Sequence, residues 1–158
     1  MTALRNRNIP TQEEIYRLQD FLGNFPSVDM PVKHHFSEGT YTREIFMPKG
    51  STVIGKEHAT RHTNIVVKGI CTVWTVHGKH VYDASTRPIS FESMAGVKKV
   101  LHMHTDVIWM TVHPNPTNER DQEVLERMFI RPVEQLPLFP ELDMELLVKD
   151  ILSLENLS

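Results

Sequence analysis

The sequence contains a single cysteine, Cys71, among 158 residues. An internal disulfide is therefore excluded, which fits a reducing compartment better than a secreted framework. Long apolar runs are also missing. None reaches the roughly 18 residues that a membrane helix requires, and the stretch from Met1 to Arg7 lacks the apolar segment of a signal peptide. No run of Lys or Arg occurs, and 17 basic and 20 acidic residues leave a formal net charge of -3. A nucleic-acid footprint is therefore not expected. The expectation is a cytoplasmic protein that engages neither membrane nor nucleic acid. Internal repeats and low-complexity segments are absent as well. The hydrophobic fraction of 40% and charged fraction of 23% are those of an ordinary globular domain, and the length suits one such domain. The unusual content is nine histidines, eight of them between His34 and His104. Imidazole is the commonest metal ligand and the side chain that titrates nearest neutral pH.

The chain divides into three parts. Residues 1–31 form an N-terminal arm, in which Thr11 to Leu22 reads as an amphipathic helix. Thr11 and Glu14 make a capping-box pattern, Ile15, Leu18, Phe21 and Leu22 form one stripe, and Gly23 closes it. Residues 32–130 change to short β-type runs separated by turn residues, about eight of them, the number a jelly roll uses. Two of these runs, Asn64 to Val67 and Ile70 to Val76, are read as joined by a tight connection at Lys68-Gly69. A helical turn or two is expected near Gln122 to Arg127. Residues 131–158 hold Pro132, Pro137 and Pro140, then an apolar helical stripe of Leu142, Leu146, Leu147, Ile151 and Leu154. This tail is expected either to pack on the barrel or to reach a second subunit in a homodimer.

The stretch from Gly50 to Gly69 has a glycine at each end, a polar turn bearing His58 and His62, and a hydrophobic strand. It resembles the first motif of the cupin superfamily. Gly50 and Gly69 match the flanking glycines, and His58 matches the second histidine. Lys56 stands in place of the first histidine and His62 in place of the glutamate. The second motif is matched more weakly: Gly96 is present, Met94 replaces the proline, and Lys99 occupies the histidine position. The elements His62-Thr63-Asn64-Ile65, Ala95-Gly96-Val97-Lys98-Lys99 and Asp106-Val107-Ile108-Trp109 through His113 resemble small cupin-like proteins of tailed bacteriophages. The likeness covers residues 32 to 130. It implies a mainly β, cupin-type jelly-roll barrel; the N-terminal helix and the C-terminal helical extension, read from the residues themselves, lie outside the likeness. It implies little about activity, because the superfamily hosts many chemistries.

Neutral imidazole suits iron, manganese, nickel and zinc alike. His58 and His62 lie four apart across a turn into a strand, where their rings can converge, and a further ligand is expected from His104 or His113. Strand alternation sets a condition on His104. It shares a face with Lys98 and His102, opposite Lys99, so its inward placement requires a bulge or an outward Lys99. Arg61, Asn64, Lys99 and Trp109 are the candidate ligand-binding residues, with Arg61 or Lys99 orienting an anionic group. The alternatives are a metal-free polar pocket for the histidines, a solvated strand end for Lys99 and a core or wall position for Trp109. Cys71, between strand hydrophobics, is expected to be a buried inert thiol. The functional expectation is a phage-type cupin that binds a small polar or anionic ligand, with a metal-dependent enzyme as one form of it. The rival is a non-catalytic sequestering or assembly protein without metal.

Overall fold

The computed structural model describes residues 9–25 and 27–130. The proline-rich arm, the C-terminal helix and their dimer contact, all expected within 131–158, lie outside the described residues. Helix α1 spans Gln12–Leu22 and strand β1 Val32–Ser37. Strands β2 (Gly39–Met47), β3 (Thr52–Ile54), β4 (His62–Thr75) and β5 (Gly78–Ala84) follow. Strands β6 (Ile89–Ser93), β7 (Val100–Met103) and β8 (Val107–Asn115) and helix α2 (Gln122–Phe129) complete the order.

Every strand pairing is antiparallel, with the spatial order β1-β2-β8-β4-β7-β3, while β5 and β6 also pair with β4. The sheet curls into a half-barrel. Strand β4 is the organising element. Its first half pairs with β6 and β8, and its second half pairs with β5 and β7. The register shifts between Val66 and Lys68, and Gly69 follows with φ of +100°. Lys68-Gly69 is thus a bulge inside one long strand and not the connection between two. A glycine with positive φ lets the backbone bend without a Cβ penalty, and that bend carries β4 from one side of the barrel to the other.

The barrel interior is a cluster that includes Met47, Val66, Val73, Leu101, Met103, Val107 and Trp109. Cys71 lies in the same cluster, and burial pushes its thiol up to about 12, so the inert reading stands. Helix α1 packs against the outside. Its Thr11–Glu14 capping box is formed in both directions, and Ile15 and Leu18 are buried against Trp74 and Val100. Phe21, expected on that stripe, is 42% exposed and stacks edge-on with Phe25. Three groups fasten α1 near the barrel mouth. Tyr16 donates a short hydrogen bond to buried Glu57, and the Lys98 ammonium lies 5.0 Å from the centre of the Tyr16 ring. Helix α2 starts at the cap Asp121, whose carboxylate accepts from the Glu123 and Val124 amides. Its Leu125 and Phe129 pack on Tyr41.

Candidate functional site

Alternation along the strands assigns the inward side chains. On β2 these are Tyr41, Arg43, Ile45 and Met47, and on β8 they are His113, Thr111, Trp109 and Val107, paired across the ladder in that order. Strand β4 adds Asn64 opposite Thr111 and Val66 opposite Trp109, and β1 adds His34 opposite Arg43. Residues directly opposite in an antiparallel pair share a face. The barrel is therefore lined in rows: an aromatic and imidazole row at the α2 end, a polar row of Arg43, Thr111 and Asn64, then apolar rows. These rows surround a cavity of about 500 Å³.

Three histidines gather at the α2 end. His58 comes from the loop before β4, where it forms an isolated β-bridge with Ile130 and its carbonyl accepts from the Gly96 amide at 2.9 Å. Its ring stacks on His62 at 4.0 Å and on His113 at 5.3 Å between centroids, and His62 and His113 are 5.8 Å apart. The Thr60 carbonyl lies 2.9 Å from His62 Nδ1. A carbonyl only accepts, so Nδ1 carries the proton and Nε2 of the neutral ring has the free lone pair. Among the described residues that Nε2 is buried without a hydrogen-bond partner, and so are Nδ1 of His58 and Nδ1 of His113. All three rings are held neutral. Burial, then the neighbouring His62 and His113, then Lys99 and Arg43, push His58 down to about 2. Burial, His62 and Arg43 push His113 down to about 4. Burial also lowers His62, against the opposing Thr60 bond.

Two cations face this cluster. Lys99 lines the cavity and is 6% exposed, and burial pushes its amine down to about 8. Arg43 lines the same cavity, and its charge reaches His34, Tyr41, His58, His113 and Glu126. Neither cation forms an ion pair or hydrogen bond among the described residues. The carboxylate at the rim, Glu126, is held by Lys56. Asn64 and Trp109 also line the cavity. Asn64 accepts from the Trp109 indole at 3.2 Å and donates to Ser93 Oγ at 2.8 Å, which fixes the Trp109 ring as a wall.

The sequence candidates thus divide. His58, His62, His113, Lys99, Asn64 and Trp109 come together in and around the cavity. His104 does not. Lys99, Leu101 and Met103 take the inner side, no bulge intervenes, and His104 falls on the outer face, with Nε2 2.7 Å from Thr72 Oγ1. Arg61 is exposed at the surface and pairs with Glu92 at 3.3 Å. Arg43 and Tyr41 were not among the candidates. The signal for them was the parity of β2, where Tyr41 and Arg43 alternate in step with Ile45 and Met47.

No protein-family model matches the sequence, and neither does any curated protein. Solved structures do resemble it. A salicylate 1,2-dioxygenase from Pseudoaminobacter salicylatoxidans is similar with a TM-score of 0.50 and 13% identity, over 73% of this chain and 32% of that one. A cupin-domain protein from Bordetella pertussis is similar with a TM-score of 0.44 and 15% identity, over 58% of this chain and 99% of that one. A cupin-2 domain protein from Shewanella frigidimarina gives 0.44 and 12%, over 66% and 98%. The fold is of cupin type. At these identities the likeness is one of fold, so the chemistry of this cupin barrel has to be argued from its own side chains.

A divalent metal would need several donors converging on one point. The donor chemistry is suitable, with three neutral imidazoles that each leave a nitrogen unpartnered. The arrangement is not. The ring of His58 is inclined by 26° to His62 and 13° to His113, and those of His62 and His113 by 35° to each other. Among the described residues no group of three or more His, Cys, Asp or Glu is placed to hold a metal ion.

The neutral histidines give a pH signature. Each has a folded-state pKa below the 6.5 of an unperturbed imidazole. Below pH 6.5 the unfolded chain takes up protons that the folded chain refuses, so stability falls with falling pH. The fall continues to about pH 4 for His113 and about pH 2 for His58. Each such group contributes a slope of up to about 1.4 kcal/mol per pH unit. Urea denaturation between pH 7 and 4 should show this loss, and the His58→Gln, His113→Gln double variant should have a shallower profile. An equal slope in both proteins would contradict the neutral assignment.

Proposed function

We propose that this cupin-type protein binds a small anionic molecule in its barrel cavity, with Arg43 and Lys99 as the counter-charges. One observation carries the reading: buried Lys99 and half-buried Arg43 line one cavity, and neither forms an ion pair among the described residues. A desolvated cation without a counter-ion is costly, and an oxyanion between the two would supply one. Charge-assisted hydrogen bonds from a guanidinium are among the stronger polar contacts. The neutral rings of His58 and His113 each carry one N–H at the same end of the cavity, so they can donate to the anion without adding charge. The likeness of its motifs to phage cupin-like proteins supports a role in an infected cell's cytoplasm.

The test is thermal denaturation at pH 7 with phosphate, acetate or benzoate, against chloride at equal ionic strength. Ligand at one hundred times its Kd should stabilise by about 2.7 kcal/mol, and Arg43→Gln should abolish the response. Indifference to all three anions would remove the reading. The unpartnered imidazole nitrogens favour a second reading, a metal-dependent enzyme using His58, His62 and His113 after ring rotation. Stoichiometric iron, manganese, nickel or zinc in untagged protein, lost in the His58→Ala, His62→Ala variant, would support it.

A further inference from the structure

We infer that the anion bound here carries an apolar body, with its oxyanion between Arg43 and Lys99 and its hydrocarbon portion against Ile45, Leu101 and Trp109. The inference rests on the anion reading and adds the chemical class of the ligand.

The row structure of the barrel carries the argument. Moving along β2 from Arg43, the next inward residues are Ile45 and Met47, and along β8 from Thr111 they are Trp109 and Val107. On the facing side, Lys99 is followed inward by Leu101, which pairs with Val53 of β3 and Val73 of β4. Each cation is therefore one inward position away from an apolar residue of its own segment, Arg43 on β2 and Lys99 just before β7, and both lie near enough to His58 to lower it. The cavity spans both levels, since Ile45, Met47, Val53, Leu101 and Trp109 line it together with Arg43 and Lys99.

Size separates a bare oxyanion from an amphipathic one. A water molecule occupies about 30 Å³, and a phosphate or acetate ion is only a few times larger. Either would leave most of a cavity of about 500 Å³ to water lying against apolar walls. A ring or short chain of six or more carbons fills that space and removes the apolar surface from water. The Trp109 ring is suited to this contact. Asn64 and Phe91 fix it in place, so little side-chain freedom is lost when a ligand packs on it. A polar body would meet no hydrogen-bonding partner in the Ile45 and Leu101 row, which selects against hydroxylated or sugar-like acids.

The test compares acetate with benzoate, and inorganic phosphate with phenyl phosphate, by calorimetric titration of the full chain at pH 7. In each pair the apolar member should bind at least about 10-fold more tightly, since burying a phenyl group removes a large apolar area from water. Ile45→Thr, which keeps the β-branch but shortens the side chain by one carbon and makes the apolar row polar, should erase most of that ratio while acetate affinity is retained. Arg43→Gln should weaken both members of each pair. Equal affinities within both pairs would overturn the inference and leave the anion reading intact. Failure of all four probes to bind would overturn both.

Discussion

Replacing Lys99 with Met should stabilise the protein by on the order of 2 kcal/mol at pH 7 and at the same time abolish its response to anions. Lys99 is 6% exposed and its amine has no partner among the described residues, and burial lowers it from 10.5 to about 8. Each unit of such a shift corresponds to about 1.4 kcal/mol of preference for the neutral form. At pH 7 the folded protein carries this charge at a desolvation cost that the unfolded chain does not bear. Between pH 8 and 10.5 the folded state releases the proton while the unfolded state retains it. The native protein therefore gains stability as pH rises through that window. The methionine variant has no such term, so its advantage should shrink between pH 8 and 10.5. Urea denaturation of both proteins at pH 7, 9 and 10.5 measures the gap, and a variant less stable than the native chain at pH 7 would refute the argument. A site that lowers stability where it binds is the usual relation between activity and stability.

Gly69→Ala should lower stability by at least about 3 kcal/mol, as expected when backbone strain is combined with a core clash. Gly69 has φ of +100°, and a Cβ there would stand 2.2 Å from the Asp106 carbonyl oxygen and 3.0 Å from the Val107 Cα. Both obstacles are backbone, so no rotamer change relieves them. The clash falls where β8 begins, and β8 carries Trp109, Thr111 and His113 in register with β2. Loss of stability should therefore be accompanied by weaker anion binding in whatever folded protein remains. Chemical denaturation against the native chain tests the first effect and calorimetric titration with benzoate the second. Native-like stability would show that the two strands can separate at this point without cost.

Much of the fold was legible because its signals are local. The alternation of short runs, the Thr11–Glu14 capping box and the glycine-flanked His58–His62 segment each depend on residues close in sequence. The bulge at Lys68-Gly69 carries the local pattern of a connection for the same reason. A glycine with positive φ looks identical in a turn and inside a bent strand, and only the partners β7 and β8 distinguish them. Phe21 shows a similar limit: helical periodicity placed it on the buried stripe, but the covered width of that stripe depends on how α1 sits on the barrel.

The amino-acid order alone determined that this chain is β-rich with about eight short strands, because hydrophobic period and turn residues act over a few positions, while the resemblance of its segment from Gly50 to Gly69 to cupins implied the barrel. It also determined that Lys99 and His104 must face opposite ways in an unbroken strand. Which of the two faces inward was decided only by the tertiary structure, when β7 paired between β3 and β4 and set Leu101 and Met103 into the core. The same closure brought Arg43 from β2 to the cavity that also holds Lys99. These residues lie more than fifty positions apart, and their meeting depends on the register of strands that no local pattern specifies.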